Sequence, residues 1–338
     1  MTLTMARFRD TAPELPPPAA RSPRATRLVD DPPWSDAGPA PEADGAPAPG
    51  AGGEDGAEDT GAVRSLGGIL AERLGLSPAQ REQIARHASQ RRLRYGDAAV
   101  HLGLASAEEV MAALAEQYAY PMAPRGETGY GSELVMLSQP FSRQAEALRA
   151  IRNRLTRDAG RGDRTLNAIA VVSPGRHDGK TFLAANLGVA LAQRGGRTVV
   201  VDADLRGPRL HEVFQLEPGV GLAGVLGGRT DLRALRPVAG VPGLAVLPAG
   251  QVPPNPLELI ERPAFAQLLG ALQSRFDHVV VDTAAAAWGA DPFAVADRCH
   301  GALMVARRDR VTMAALQTLV ATLGEGPARL AGMVMNEF

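Results

Sequence analysis

The loop between an apolar run and a helical pattern carries residues suited to phosphate binding. The sequence SPGRHDGKT, residues 173–181, follows the apolar run AIAVV. A helix that begins near Lys180 directs its free N–H groups and positive dipole end at this loop, and both favour an anion. Lys180 can reach β- and γ-phosphate oxygens, Thr181 offers a hydroxyl to Mg²⁺, and Gly179 permits close backbone approach. Pro174 replaces the usual first glycine, so a plain strand-to-helix turn is the alternative for this loop alone.

Two further motifs place carboxylates after apolar runs. In VVVDADLRGPRLH, alternate strand residues share a face, so Asp202 and Asp204 are expected to project together at a strand end. Adjacent carboxylates repel unless a cation or proton lies between them, and Mg²⁺ would supply that charge; a solvated acidic turn is the alternative. In HVVVDTA, Asp282 stands where phosphate-loop enzymes have the acid that holds a magnesium water. The three motifs together predict a nucleotide site.

These motifs require a sheet to position them. Residues from about 140 onward alternate helical patterns with the apolar runs LNAIAVVS, TVVVDAD, LAVLPAG, HVVVDTA, GALMVAR and GMVMNEF. Near-continuous apolar strands separated by helices are typical of a parallel sheet covered on both faces, where ligands bind at the C-terminal ends of the strands. We therefore predict an α/β phosphate-loop NTPase domain over residues 140–338.

The preceding residues divide into three segments. Residues 1–62 are rich in Pro, Ala, Gly and Asp, which predicts a disordered tail, either passive or recruiting a partner. Residues 64–123 contain two similar halves, in which Ser77 with Gln80 and Ser106 with Glu109 have capping-box spacing. They predict a small all-α domain built from a repeated helix pair. Residues 124–139 are assigned to a linker.

Composition excludes several classes of protein. The formal net charge of −1 provides no global basic field, so nucleic acid is not an expected partner. The single cysteine, Cys299, cannot form an internal disulfide, which fits a reducing compartment. No apolar run approaches the ~20 residues of a membrane span, and the N-terminus lacks the apolar core of a secretory signal. A cytoplasmic protein is expected.

The region from about 140 onward resembles the bacterial tyrosine kinases of polysaccharide synthesis, the BY-kinase or CpsD/CapB family, and most of all its EpsG-type chain-length-determinant kinases. The resemblance is carried by EALRAIRNRL, the phosphate loop, VDADLRGPRLH, LPAGQVPPNPLELI, VVVDT and the terminal NEF. It implies a MinD/ParA-like fold, ATP and Mg²⁺ as cofactors, and protein tyrosine phosphorylation that regulates exopolysaccharide polymerisation, chain length or export. The partitioning ATPases share the fold but carry a loop lysine where this chain has Gly175, which makes a positioning ATPase a weaker alternative.

The resemblance also implies residue roles. Lys180, Asp202, Asp204 and Asp282 would be catalytic, one of the Asp202–Asp204 pair activating the accepting tyrosine. Thr181, Asp204 and Asp282 would support Mg²⁺. The nucleotide would be bound by Gly175, Gly179, Lys180, Thr181, Phe182, Arg206 and Asn336. Glu146, Arg149 and Arg152 match the pattern that joins the family's subunits into a ring, and their spacing places them on one helical face; without the resemblance, a surface salt-bridge ladder would be preferred.

The acceptor and the partners remain open at this stage. A tyrosine-rich C-terminal tail of the family's kind is not expected, since all four tyrosines of the sequence precede residue 140. Tyr130, nearest to the domain, is the candidate acceptor; a tyrosine on a partner is the alternative, as is a non-catalytic, ATP-switched adaptor. The family implies a membrane chain-length determinant as activator, which would recruit the protein to the inner membrane, and a homo-oligomer.

The helical segment has a resemblance of its own. Residues 64–123 resemble the N-terminal MshEN-like domain of secretion and pilus ATPases, some of which bind cyclic di-GMP. Arg94 and Gly96 match the start of the second repeat, but Ser65 stands where the first repeat would have its guanine-contacting arginine. Cyclic di-GMP binding and protein docking are therefore both retained as hypotheses.

Overall fold

The computed structural model describes residues 3–6, 65–118, 130, 132–159 and 167–337. It divides the chain into two compact units, Ala37–Met122 and the remainder. The predicted disordered tail therefore lies outside the described residues, except for Leu3–Ala6, which form a strand that the prediction did not include. Within the described part of the chain, we find no helix with the length and apolarity needed to cross a bilayer.

The smaller unit is a cluster of four helices among its described residues: α1 (Leu66–Leu74), α2 (Pro78–Arg91), α3 (Tyr95–His101) and α4 (Ala107–Gln117). Both predicted capping boxes are present. The Ser77 and Ser106 hydroxyls accept from the backbone N–H three residues on, and Gln80 and Glu109 accept from the serine N–H in return. The enclosed core includes Ile69, Leu70, Ile84, Ala98, Ala99, Val110 and Ala113.

The larger unit is built on an eight-stranded sheet, counted over the described residues. Its strands are β1 (Leu3–Ala6), β2 (Ala168–Val172), β3 (Thr198–Ala203), β4 (Arg236–Pro237), β5 (Leu244–Leu247), β6 (His278–Thr283), β7 (Gly301–Arg307) and β8 (Arg329–Asn336). The order is β1-β8-β7-β2-β6-β3-β5-β4. The six predicted strands are mutually parallel, as expected, whereas β1 and β4 pair antiparallel at the two edges.

Helices cover both faces of this sheet. They are α5 (Val135–Ser138), α6 (Arg143–Ala159), α7 (Lys180–Ala192), α8 (Leu210–Val213), α9 (Leu222–Leu226), α10 (Pro256–Glu261), α11 (Pro263–Arg275), α12 (Asp291–Cys299) and α13 (Met313–Gly324), with 3₁₀ turns at Leu232–Ala234 and Ala286–Trp288. Alternate residues of one strand enter different cores: Ala170 and Val172 join one, Ile169 and Val171 the other. Burial on both faces explains why the strands are continuously apolar.

The folded unit begins before the predicted boundary at residue 140. The side chains of Leu134 and Met136 are fully buried in the core that α6 and α7 share. Asn186 of α7 fixes this segment, because its side-chain amide donates to the Glu133 carbonyl and accepts from the Met136 N–H. The later part of the assigned linker is thus packed structure, although its short length gave no periodicity to detect.

Cys299 provides a test of this packing. It lies in α12 with 2% of its surface exposed, and burial raises the pKa of its thiol to about 12. A shift from the ordinary value of 9.0 lowers the reactive thiolate fraction roughly a thousandfold. We expect no labelling of the native protein by a thiol-reactive dye at pH 7.5, and complete labelling in guanidinium.

Met313→Cys is the matched control, because Met313 is 68% exposed. This variant should label once, rapidly, in the native state. Native parent protein that labels at the same rate as the variant would contradict the buried position of Cys299.

Candidate functional site

The loop between β2 and α7 is closed by its own side chains. The Ser173 hydroxyl donates to the Gly175 carbonyl at 2.8 Å, and the buried Asp178 carboxylate accepts from the Gly175 N–H at 2.7 Å. His177 adopts a left-handed conformation with φ 59°. These contacts form the turn with proline at position 174. A glycine at this position is therefore not needed for the loop to adopt its shape. Gly175 itself does not line the cleft described below, so its predicted contact with nucleotide is not part of the observed geometry.

Lys180 is the first residue of α7, where the sequence predicted the helix to begin. Its ammonium donates to the Ser173 hydroxyl at 3.0 Å and to the Gly175 carbonyl at 3.3 Å. Burial lowers the pKa of Lys180, while the negative charges of Asp282 and Asp204 act in the opposite direction. A buried ammonium whose partners are neutral oxygens is suited to exchange them for phosphate oxygens.

The last two strands hold the loop from one side. The Asn336 amide donates to the Asp178 carbonyl at 2.9 Å, and Arg307 donates to the His177 carbonyl at 3.1 Å. Gly179 has φ 105°, and a Cβ there would lie 2.5 Å from the Asn336 amide nitrogen. Asn336 therefore acts on the nucleotide loop through the backbone, and the close approach requires glycine at position 179.

Two buried carboxylates face each other in the sheet. Asp202 and Asp282 are direct partners in the parallel pairing of β3 with β6, and both are fully buried. Burial and the repulsion of Asp282 raise the pKa of Asp202 well above its usual range. Burial likewise raises the pKa of Asp282 to about 7. Neither Asp282 oxygen accepts a hydrogen bond of good geometry from a described residue, although the Thr181 hydroxyl is close enough to lower its pKa.

The two acids of the VDAD motif occupy different environments. Asp202 accepts from the backbone N–H of Leu210 at 3.1 Å and of Asp204 at 3.2 Å, so both its oxygens face the protein interior. Asp204 lies beyond the end of β3 and lines the cleft. The chain turns immediately after β3, so of these two acids only Asp204 lines the cleft, and their joint role around a cation stays a prediction.

Arg206 is paired within the chain. Its guanidinium donates to both oxygens of buried Asp291, at 3.0 and 3.2 Å, and it does not line the cleft. A paired arginine at this position connects the loop after β3 with the start of α12. The nucleotide contact of Arg206 stays a prediction.

A cleft of about 490 Å³ opens where these loops meet. Of the predicted site residues it is lined by Gly179, Lys180, Thr181, Phe182, Asp204 and Asn336. Within the described ranges, no three acidic, histidine or cysteine side chains lie close enough to hold a metal ion by themselves. Mg²⁺ usually keeps several waters and binds through one or two protein groups plus substrate phosphates. Thr181, with the unsatisfied Asp282 carboxylate behind it, fits that mode.

The three predicted oligomerisation residues all lie on α6. Arg149 is largely buried and donates to Glu146, and Arg152 donates to the Ala190 carbonyl of α7 at 3.0 Å. Glu146 remains 66% exposed. Both arginines therefore make contacts within this chain, and their role between subunits stays a prediction.

Tyr130 does not itself line the cleft, although Ser132 and Glu133, two and three residues later, do. The Tyr130 hydroxyl donates to the carbonyl of Ala239, which lies in the turn between β4 and β5. That turn precedes β5 and therefore lies at the N-terminal edge of the parallel strands, whereas the phosphate loop follows the C-terminal end of β2. The role of Tyr130 as an acceptor stays a prediction.

Sequence reasoning missed four residues that shape the cleft. Arg209 forms an ion pair with Glu133 at 3.0 Å, and the Arg176 guanidinium lies 4.1 Å from the centroid of the Trp288 ring. All four line the cleft. The partners are separated by 76 and 112 positions, so no local pattern links them; the only sequence signal was that Arg176 lies inside the loop.

In the smaller unit, Ser65 and Arg94 occupy equivalent positions. Ser65 caps α1 by accepting from the Gly68 N–H, and Arg94 is the residue before α3. Their equivalence supports the internal repeat. Cyclic di-GMP binding stays a prediction.

Comparison with known proteins identifies the larger unit. The profile of the CobQ/CobB/MinD/ParA nucleotide binding domain matches residues 169–338, half of the chain. The tyrosine-protein kinase Ptk of Acinetobacter johnsonii is 32% identical over 171 residues, 51% of this chain and 23% of that protein. The tyrosine-protein kinase CpsD of Streptococcus agalactiae serotype III is 28% identical over 170 residues, 50% of this chain and 73% of that protein.

Solved structures of tyrosine kinase domains are also similar to this chain, in agreement with the sequence comparison. The kinase domain of the Escherichia coli tyrosine kinase Etk superposes with a TM-score of 0.57 at 27% identity, covering 63% of this chain and 82% of that one. The chimerical protein CapA2B2 gives 0.58 at 28% identity, covering 67% and 97%. The predicted resemblance to bacterial tyrosine kinases and the predicted fold class are confirmed. The chain spans about a quarter of the length of Ptk.

Proposed function

The chain belongs to the CobQ/CobB/MinD/ParA family of nucleotide-binding domains, and on that premise we propose that it is a Mg²⁺-dependent protein tyrosine kinase that uses ATP. One observation carries this proposal: the Asp204 carboxylate faces the same cleft as Lys180 and Thr181. A potential phosphate-binding ammonium and a potential base at one cleft are the parts that in-line phosphoryl transfer requires.

The phosphate end of ATP would lie at the start of α7. Lys180 would exchange its contacts with Ser173 and Gly175 for β- and γ-phosphate oxygens, and the first N–H groups of α7 would face the same anion. Mg²⁺, when bound, would neutralise phosphate charge, held by Thr181 with Asp282 orienting its water ligands.

Asp204 would act on the acceptor. The tyrosine phenol oxygen would attack the γ-phosphorus, and its proton would pass to the Asp204 carboxylate. The bond between the γ-phosphorus and the β,γ-bridging oxygen would break, and its electron pair would leave with ADP. Asp202 would have no direct part, since backbone N–H groups occupy both its oxygens.

The acceptor would come from another molecule. Among the described tyrosines, Tyr95, Tyr118 and Tyr130, none lines the cleft. The basic residues at its mouth, Arg176, His177 and Arg209, suit an acidic peptide around the accepting tyrosine. By resemblance, we propose that the substrate lies in a polysaccharide export system at the inner membrane, that a chain-length determinant is the activating partner, and that the protein oligomerises.

The observation on Tyr130 also favours a second function, a nucleotide-switched adaptor that binds ATP without transferring phosphate to protein. Such an adaptor needs the cleft but no acceptor beside it.

Asp204→Asn distinguishes the two functions. The Asp204 oxygen accepts from the N–H of Arg206 and of Gly207, at 3.2 and 2.9 Å. An asparagine oxygen can accept both bonds, so the variant loses basicity while keeping the loop. With γ-labelled ATP, Mg²⁺ and a glutamate–tyrosine copolymer, we expect phosphotyrosine formation to fall about 100-fold, with ATP affinity changed less than about threefold.

Asp309→Asn is the control, because Asp309 is 92% exposed and its left-handed conformation tolerates asparagine. It should retain the parent rate. ATP binding by the parent without any tyrosine label would favour the adaptor, and an Asp204→Asn variant with the parent rate would exclude Asp204 as the base.

A further inference from the structure

Arg176 is an exposed arginine in the phosphate loop, and its N–H groups donate no hydrogen bonds to the described residues. Its guanidinium carbon lies 4.1 Å from the centroid of the Trp288 ring, and both residues line the cleft. Across the part of the chain that the structure describes, its guanidinium makes no hydrogen bond and no ion pair. Five N–H donors therefore remain available beside the site of the phosphates.

Trp288 is held in a fixed place relative to this arginine. The segment before it is bound to the phosphate loop itself, since the Ala286 N–H donates to the Ser173 carbonyl at 3.0 Å and the Ala287 N–H to the Pro174 carbonyl at 2.9 Å. On the other side, a Cβ at Gly207 would lie 3.5 Å from the indole ring. The ring thus stands among the loops that follow β2, β3 and β6, on the side of the cleft where Asp204 lies.

Arg176 and Lys180, the proposed phosphate-binding lysine, line the same cleft. Two cations that converge on one cleft repel each other, and an anion between them removes that cost. The triphosphate of ATP is the anion that the proposed function already requires.

We propose that Arg176 is a catalytic residue of the phosphotransfer proposed above, which contacts the γ-phosphoryl group, and that Trp288 is the positioning residue that holds it until ATP binds. The guanidinium keeps its proton throughout and donates hydrogen bonds to the charge that develops on the γ-phosphoryl and bridging oxygens. This inference rests on the proposed function for its rate effect, but not for its effect on binding.

Arg176 can leave the Trp288 ring for a phosphate because the contact with phosphate is the stronger of the two. A cation–π contact at a partly exposed site is weak. Charge-assisted, bidentate hydrogen bonds from arginine to phosphate are stronger. Arrival of a γ-phosphate is therefore expected to draw the guanidinium away from the ring, whereas ADP, which lacks that group, is expected to leave it there.

The first experiment measures rate. Arg176→Ala is expected to lower phosphotyrosine formation at least about 100-fold, and Arg176→Lys to restore part of it, because lysine returns the charge without the planar fork. Arg233→Ala, at an exposed arginine outside the cleft, should retain the parent rate. An Arg176→Ala rate within threefold of the parent would overturn the proposal.

The second experiment measures binding and does not depend on kinase activity. Using calorimetry on the full chain, we expect Arg176→Ala to weaken a non-hydrolysable ATP analogue about tenfold while leaving ADP affinity within about twofold. A parent protein without kinase activity would count against the proposed function, yet this comparison would still test Arg176. An equal loss of affinity for the ATP analogue and for ADP, or no loss of affinity for either, would overturn the inference.

The third experiment tests Trp288 as the positioning residue. The sequence has two tryptophans, so Trp34→Phe leaves Trp288 as the sole emitter. We expect its emission to change with the ATP analogue but not with ADP, and the change to disappear in Arg176→Ala. Trp288→Phe should keep the rate and Trp288→Ala should lower it about tenfold. Emission that does not distinguish the two nucleotides would contradict this role.

Discussion

Replacement of Asp282 by asparagine is expected to reduce phosphotransfer at least about a thousandfold and, at pH 8, to stabilise the nucleotide-free protein. The loss of activity follows from its place behind Thr181, where a full negative charge is needed to orient the waters of Mg²⁺. The gain in stability follows from the same charge, which is fully buried beside Asp202 without hydrogen bonds of good geometry.

The sign of the pH dependence follows from the direction of the pKa shift. Asp282 has a pKa of about 7 in the folded protein, whereas an unfolded aspartate titrates near ~4. The folded state therefore binds this proton more tightly. The contribution favours folding below about pH 4 and is lost as the pH rises through about 7. At pH 8 the ionised, buried carboxylate opposes folding by an amount on the order of 4 kcal/mol.

Denaturant unfolding of nucleotide-free protein at pH 5 and pH 8 tests this expectation. Asp282→Asn should gain about 2 kcal/mol at pH 8, less than the full amount because Lys180 loses a counter-charge. The variant should also show a smaller difference between the two pH values than the parent. Asp309→Asn should match the parent throughout. A variant that is less stable than the parent at pH 8 would contradict the argument.

Gly221→Ala is expected to lower the free energy of unfolding by about 4 kcal/mol or to prevent folding. A Cβ at position 221 would lie 2.1 Å from the Pro248 carbonyl oxygen and 2.5 Å from the Gly250 nitrogen. These are backbone atoms and cannot move aside separately. The Leu222 N–H donates to the same Pro248 carbonyl at 2.7 Å, so any shift would also break a hydrogen bond at the start of α9.

Gly270→Ala is the matched control for this prediction. Gly270 lies inside α11, and apart from its chain neighbours and the adjacent backbone of its own helix, no atom of a described residue lies within 4 Å of the Cβ that alanine would add. Alanine in a helix interior should stabilise the protein by about 1 kcal/mol. Urea unfolding and soluble yield, measured on both variants and the parent, test the two predicted changes in stability. A Gly221→Ala protein within 1 kcal/mol of the parent would show that the two chain segments separate easily.

The contact at Gly221 shows what sequence could and could not provide. The apolar runs predicted all six parallel strands. The contact between Pro248 and Gly221, before α9, joins residues 27 positions apart, and no periodic pattern in the sequence indicates it. The two-residue strand β4 was likewise too short to leave one.

At the candidate site the local signals succeeded and the distant ones failed. The helix start at Lys180, the end of β3 before Asp204 and the place of Asp282 near the end of β6 followed from local pattern. The different environments of Asp202 and Asp204 did not, because they depend on the Leu210 N–H eight positions away. The Arg206–Asp291 pair spans 85 positions, and only the fold brings the two side chains together.

The bonds from Asn336 and Arg307 to the phosphate loop have a thermodynamic consequence. Together with the Asp178–Gly175 contact, they fix the loop backbone within the folded chain itself. The loop would already have lost its conformational entropy during folding. Nucleotide binding would then need little further ordering of the loop, which favours affinity. β7 and β8 would thus contribute to binding by holding the loop, in addition to any contact that Asn336 makes from the cleft wall.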